Sequence, residues 1–506
     1  MDSEPVPSCS NSHQELNSLT RITNRQLTDS QSLFDLISSY QSNRDSSPSA
    51  LKKLVDTLSK ISTKLAVSLA SDDGHGDILE DRLDPRLDGI FYFFILITRL
   101  EFGQTSGNDQ RLISQVERFC SNVPKNHVLT LSQHLLKFVQ LLSYWTSKRD
   151  QLSRSLKPIA DLIKSYMPPE VLTPLHAQLM KNSLRSRSIE HALEISSHDI
   201  LLVDQKECPL KYQDHLAYHY LAGTIHALSK NYTRAIHLLT IVVSAPGNSI
   251  SQFQFDAYKK LILISALSNS KPPTLPRYTN PQFRSVFKNF NGGKPYIELI
   301  DLYENHETVN NPYEKLCQIA EQNMHVFKQD KNSGLIKMCV AMSPRKMVLG
   351  LIPIYSSVPL SKLDSLLPNL PKGSGRELVE EMVKSGELEA EIREEHLRFL
   401  EKKEIQPTQL TAELQTAIHR AKNTGKILGS ICDEIEGDRD YLSRLVSDLK
   451  ELEKPFPESS RPGAVGLGGF ELGEGGLAER SFTGIIEEDL AADISSKTWD
   501  DQSSFR

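Results

Sequence analysis

Two consecutive stretches between residues 212 and 245 place apolar and small side chains at helical intervals, and only a short turn separates them. Leu216, Tyr220, Gly223 and Ala227 are spaced four, three and four apart, which is one face of a helix. After Ser229-Lys-Asn231 a second face reads Tyr232, Ala235, Ile236, Leu239, Val242 and Val243, and Pro246-Gly247 stops it. A pair of this kind buries its stripes only against neighbours, so the chain is expected to stack helical pairs.

Gly223 and Ala235 stand twelve positions apart, the separation of the small residues that let two helices pack closely in a tetratricopeptide unit. His219 and His226 occupy positions where that motif prefers aromatics. A third helix is expected to follow, with Phe255, Tyr258, Ile262 and Ser265 on its buried face. From about residue 50 to 270 the pattern is helix after helix, with breaks at 72–76, 103–108, Pro168-Pro169 and 271–273. Long alternating β-branched runs are absent there, so no sheet is indicated. Residues 1–49 are rich in Ser, Asn, Gln and Thr and are expected to be loosely ordered.

From 344 to 400 the pattern changes. Ser357 to Leu367 reads as a short helix ending before Pro368. Ser374-Gly-Arg-Glu377 spells a capping box for a helix carrying Leu378, Val379, Met382 and Val383. Gly386 is placed to close that helix in the left-handed conformation. Then Glu387, Glu389 and Glu391 alternate with Leu388, Ala390 and Ile392, a half-buried strand. Arg393 to Glu395 turns it, and Leu397 and Phe399 supply the answering strand. Helix, helix, strand, strand is the back half of a winged helix. A long helix is expected over 408–454, with Leu410, Leu414, Ile418, Ile427, Ile431, Ile435, Leu442, Leu445, Leu449 and Leu452 as its apolar positions, and with interruptions at Thr424-Gly425 and Gly437. Eight glycines between 463 and 484 make 455–506 a flexible tail.

Composition narrows the function. At 506 residues the chain has room for roughly three domains, and 39% hydrophobic with 24% charged residues is ordinary for a folded protein. A net charge of −6 gives no global pull towards nucleic acid or anionic membrane. Six scattered cysteines, the nearest two being Cys317 and Cys339, form no CxxC motif and no disulfide framework; a reducing cytoplasmic or nuclear compartment fits them. Met1 to Ser12 lacks a basic start and an apolar core, so it does not read as a secretory signal. Ile90 to Ile97 is the most apolar run, but a spanning helix needs about 20 residues, so it reads as a buried helix.

The mostly α layout, a TPR-like helical-repeat solenoid followed by a winged helix and a long C-terminal helix, resembles PCI proteins. This family is shared by the proteasome lid, the signalosome and a translation-initiation complex. Three segments bring the resemblance closest to its signalosome members: Tyr258-Lys-Lys-Leu-Ile-Leu-Ile-Ser265, Leu275-Pro-Arg-Tyr-Thr279, and 327–337, Phe-Lys-Gln-Asp-Lys-Asn-Ser-Gly-Leu-Ile-Lys. The resemblance covers about 210–400, and 50–209 matches only in being helical. It implies N-terminal helical repeats over 50–209, and a PCI domain over 210–400 made of repeats 210–343 and a winged helix 344–400. The role it implies is a non-catalytic scaffold supporting removal of a ubiquitin-like modifier from cullins, with the zinc isopeptidase site on another subunit. Implied partners are the other PCI subunits and, through them, that isopeptidase subunit and cullin-RING ubiquitin ligases. The alternative is a PCI scaffold of the proteasome lid or of the translation-initiation complex.

No catalytic constellation or cofactor site emerges from the residues themselves. His215 and His219 have the spacing of a zinc-binding helix, but Leu216 stands where the general-base glutamate would be. The pair reads as two histidines on a solvated or partner-facing side. Lys372-Gly-Ser-Gly-Arg376 lacks phosphate-loop spacing, and the tail glycines follow no strand. Nucleic acid is disfavoured too: from Glu387 to Glu404 seven glutamates oppose four basic residues, a surface that repels a phosphate backbone. The winged helix therefore reads as a protein-docking module. Glu387, Glu389 and Glu391 mark its docking strand, and Leu442, Leu445 and Leu449 a bundle-forming stripe on the last helix.

Overall fold

The structure, a computed structural model, describes residues 30–43, 47–60, 77–102, 109–247, 249–268, 274–289, 292–304, 312–366, 374–393, 395–400, 407–439, 441–444 and 446. These fall into two compact units, one up to Leu349 and one from Gly350 onward. The expected breaks at 72–76, 103–108 and 271–273, the segments 1–29 and 455–506, and Leu445, Leu449 and Leu452 lie outside the described residues.

The first unit is helical throughout. It opens with α1 (Ser30–Asn43), α2 (Pro48–Leu58), α3 (Ile78–Asp81) and α4 (Gly89–Phe102). The run Ile90 to Ile97 lies inside α4 with every residue buried, as the sequence indicates. Next come α5 (Asp109–Asn122), α6 (Lys125–Thr130) and α7 (Ser132–Ser147), whose Phe119 and Phe138 close on Phe93 at ring distances of 5.7 and 5.2 Å. After α8 (Leu156–Tyr166) the chain breaks at Pro168-Pro169 and resumes with α9 (Pro174–Ser186) and α10 (Glu190–Ser196).

The anticipated pair is α11 (Tyr212–Leu228) and α12 (Tyr232–Ser244). Leu216, Tyr220, Gly223 and Ala227 are all buried. The approach at Gly223 is close: a Cβ there would sit 2.9 Å from Leu239 Cγ. The Asn231 side chain caps α12 by accepting from the Arg234 amide at 3.2 Å.

Helix α13 (Gln252–Leu267) departs from expectation. It is buried nearly all round, while Phe255 and Tyr258 are only half-buried. Even Lys259 and Lys260 are 2% exposed. A single buried face fails here because α13 packs on α12 on one side and on α15 (Lys294–Glu304) on the other, with α14 (Phe283–Asn289) bringing Phe283 and Phe287 onto Phe255 and Tyr258. The unit ends with α16 (Pro312–Gln322), α17 (Met324–Gln329) and all but the last two residues of α18 (Ser333–Leu351), which continues through Pro344.

The second unit carries a three-stranded antiparallel sheet of order β1-β3-β2: β1 (Ser357–Pro359), β2 (Ala390–Arg393) and β3 (His396–Phe399). Helices α19 (Leu360–Leu366) and α20 (Ser374–Lys384) lie between β1 and β2. The single helix expected over Ser357 to Leu367 is therefore a strand followed by a helix. Three residues are too few to show alternation, and only the distant β3 makes them a strand. Gly386 closes α20 at φ 75°, with Glu387 N donating to Met382 O at 3.0 Å and Gly386 N to Val383 O at 3.2 Å.

The last element, α21, runs Pro407–Glu436 without interruption at Thr424-Gly425. An isolated glycine costs a helix only about 1 kcal/mol and does not end it.

Candidate functional site

In the winged-helix unit, backbone polarity decides what each edge of the sheet can do. In an antiparallel pair, alternate residues turn their N–H and C=O towards the partner strand or away from it. Leu400 N donates to Glu389 O at 2.9 Å, and Glu391 stands opposite Arg398. Glu389, Glu391 and Arg393 thus address β3, whereas the backbone groups of Ala390 and Ile392 point to the outer edge.

On the far side, Phe399 N donates to Ser356 O at 3.1 Å and Leu360 N to Glu395 O at 2.8 Å. Val358 therefore addresses β3, and Ser357 and Pro359 face outward. Proline has no N–H, so the β1 edge is blunted while the β2 edge keeps its donors. Among the described residues no strand pairs with the outer edge of β2.

The sequence-derived docking residues are placed as follows. Glu387 and Glu389 are exposed but precede the strand, which begins at Ala390. The strand starts late because the turn after α20 holds 385–388. Glu391 lies in β2, and its carboxylate meets Arg393 at 2.6 Å. The glutamates therefore flank the edge, and the outward donors belong to Ala390 and Ile392, which alternation of side chains alone does not reveal. Leu442 is exposed.

Helix α21 is open over much of its length, with Ile427 and Ile431 half-buried. Leu414 and Leu428 are 58% and 60% exposed, and Ile418 and Ile435 are also exposed. Such an apolar series on one helix is an exposed patch of the kind a partner can cover.

His215 and His219 are not on a solvated face. His219 is 3% exposed, its Nδ1 lies 2.9 Å from the His215 carbonyl oxygen, and the two rings are 4.4 Å apart. Helix α11 is covered by α9 and α12, which carries His219 inside and leaves His215 half-buried. Burial, with His215 alongside, pushes His219 down to about 3. His226, opposite Ser196 Oγ at 2.9 Å, is pushed to about 4 by burial. Both rings are neutral packing elements standing in for aromatics. Among the described residues no group of three His, Cys, Asp or Glu could hold a metal ion, and no helix is long and apolar enough to cross a membrane.

These features define a mostly α protein: a helical-repeat unit joined to a winged helix and a long, open C-terminal helix. Residues 49–282 match the family model described as COP9 signalosome complex subunit 3, N-terminal helical repeats. The chain is 26% identical to COP9 signalosome complex subunit 3 of Arabidopsis thaliana over 388 residues, covering 75% of this chain and 86% of the relative. It is 23% identical to the subunit of that name in Dictyostelium discoideum over 381 residues, covering 72% and 88%. The particular likeness is thus to subunit 3 of the COP9 signalosome. The match corrects one expectation, because it takes in the whole of 50–209, where the sequence shows helical character alone. Divergent helical repeats keep their spacing while few side chains keep their identity.

Proposed function

We propose that this chain is a scaffold subunit of a COP9 signalosome, with no catalytic role of its own. In that role it supports deneddylation of cullins, and so regulates cullin-RING ubiquitin ligases, by holding other PCI subunits around the isopeptidase subunit in cytoplasm and nucleus. The observation that carries the reading is the likeness to subunit 3 proteins over about three quarters of the chain. The open β2 edge and the exposed stripe of α21 support it, since both are surfaces for protein partners. The acidic wing argues against nucleic acid.

Affinity purification of the tagged full-length chain from its own cells, followed by mass spectrometry, tests this. Signalosome subunits in stoichiometric yield are expected. Recovery of proteasome-lid subunits or translation-initiation factors in their place would overturn it.

A further inference from the structure

The stretch from Ala257 to Ile297 contains no Asp or Glu, in a chain that has 64 of them. Of its basic residues, Lys259 and Lys260 are turned into the core. Lys271 lies outside the described residues. Lys294 has Glu298 at 4.0 Å. Arg277, Arg284 and Lys288 remain, all exposed. Among the described residues no carboxylate pairs with them.

These three bases sit on a fixed backbone. Buried Phe283 and Phe287 pin α14 against Phe255 and Tyr258, with rings 5.6 and 4.8 Å apart, which leaves Arg284 and Lys288 one turn apart on the outer side. The preceding turn is held by Thr279 N donating to Pro276 O at 3.1 Å and by Asn280 Nδ2 reaching Gly247 O at 3.5 Å. It presents Tyr278 at 67% exposure, and Val286 is exposed on α14.

We infer that Arg277, Tyr278, Arg284 and Lys288 form a docking surface for a short acidic segment of a partner protein that carries an apolar anchor. Three unpaired bases complement a few carboxylates, and the exposed Tyr278 ring, with few rotatable bonds, offers the anchor a contact at little entropic cost. A polynucleotide fits less well. Neutralising about three phosphates releases few counterions, and the rest of the chain is acidic. This surface is in the helical-repeat unit and does not depend on the winged-helix edge.

The test uses the full-length chain and a fluorescent peptide of about twelve residues, Glu and Asp alternating around two leucines, titrated at low salt. The triple variant Arg277→Glu/Arg284→Glu/Lys288→Glu is expected to bind at least about tenfold more weakly, with an unchanged far-UV spectrum and melting temperature. Tyr278→Ser should weaken binding several-fold without changing its salt dependence. Reversal of Lys52, Lys125 and Lys157, exposed bases elsewhere, should leave it intact. The inference is overturned if these control reversals weaken binding equally, if the peptide with lysine for each carboxylate binds as well, or if oligothymidine of similar length binds more tightly than the peptide.

Discussion

Lys260 Nζ lies 2.7 Å from Asn332 Oδ1, joining residues 72 positions apart in the chain. Asn332 Nδ2 donates to Tyr296 OH at 3.0 Å, Tyr296 OH to Asp330 Oδ2 at 2.9 Å, and Lys259 Nζ to Asp330 Oδ1 at 2.8 Å. One polar chain, buried except at half-buried Asp330, thus ties α13 and α15 to the turn between α17 and α18. It unites two of the segments that carry the family resemblance, 258–265 and 327–337. Breaking such a chain at one member leaves the others unsatisfied.

This network has a pH signature. Burial pushes Lys260 down to about 8, against attraction from Asp256 and Asp330 and with Lys259 adding to the fall. Above pH 8 the folded state releases this proton while the unfolded lysine holds it to about 10.4, so the unfolded state binds more protons and stability rises with pH. Between pH 8 and 9.5 we expect a gain on the order of 1–2 kcal/mol in wild type relative to Lys260→Met, read from urea midpoints. Parallel profiles for the two proteins would show that Lys260 does not titrate there.

The buried histidines give the opposite flank. Burial lowers His176 to about 4, His219 to about 3 and His226 to about 4. As pH falls below about 6.5 the unfolded histidines take up protons that the folded ones refuse, so stability is lost. At pH 5 each should have removed on the order of 1–2 kcal/mol. His219→Phe supplies the aromatic that the repeat favours and should flatten the acid limb of a melting-temperature profile.

The close approach of α11 and α12 is tested at Gly223. A Cβ would stand 2.9 Å from Leu239 Cγ and 3.1 Å from its Cδ2. Gly223→Val is expected to destabilise by about 1–3 kcal/mol through overpacking. Gly223→Ala should cost less, because alanine returns up to about 1 kcal/mol of helix propensity. Urea denaturation compares the two, and equal midpoints for valine and glycine would contradict the packing.

How much of this was legible in the sequence depended on range. The α11–α12 pair, the buried run in α4 and the left-handed Gly386 follow from intervals of a few residues, and the chain shows all three. Strand β1 and the Lys260–Asn332 contact depend on residues far away in sequence, and no local period marks them. His219 was misplaced because a polar side chain at a helical interval reads as surface until its covering helices are known. The β2 edge was legible as a strand, but which of its amides face outward required the register against β3.

That register allows a direct test of docking at the β2 edge, where Glu389 O accepts from Leu400 N and Ile392 faces outward. Ile392→Pro removes a donor from the outer edge of β2 and spares the ladder to β3, whereas Glu391→Pro removes one that faces β3. We expect the first variant to fold with a near-normal melting temperature and lose its neighbouring subunit, and the second to melt early. Complex assembly by Ile392→Pro at the wild-type level would rule out strand pairing at this edge.

The last test concerns α21. Of its described apolar positions, Leu414, Ile418, Leu428 and Ile435 are exposed and Ile427 and Ile431 half-buried, and Leu442, beyond its end, is exposed as well. A stripe of this length does not persist in water without a partner. We expect it to enter a bundle with helices of other subunits, where each buried leucine or isoleucine contributes about 1.5–3 kcal/mol before entropic losses. A chain ending at Pro407 should fold, keep the α11–α13 core and fail to remain in the complex through size-exclusion chromatography. A chain ending at Lys454 should remain, because only the glycine-rich stretch is removed. Full co-elution of the Pro407 truncation with its partners would place the assembly energy elsewhere, and the β2 edge would then be the surface to dissect.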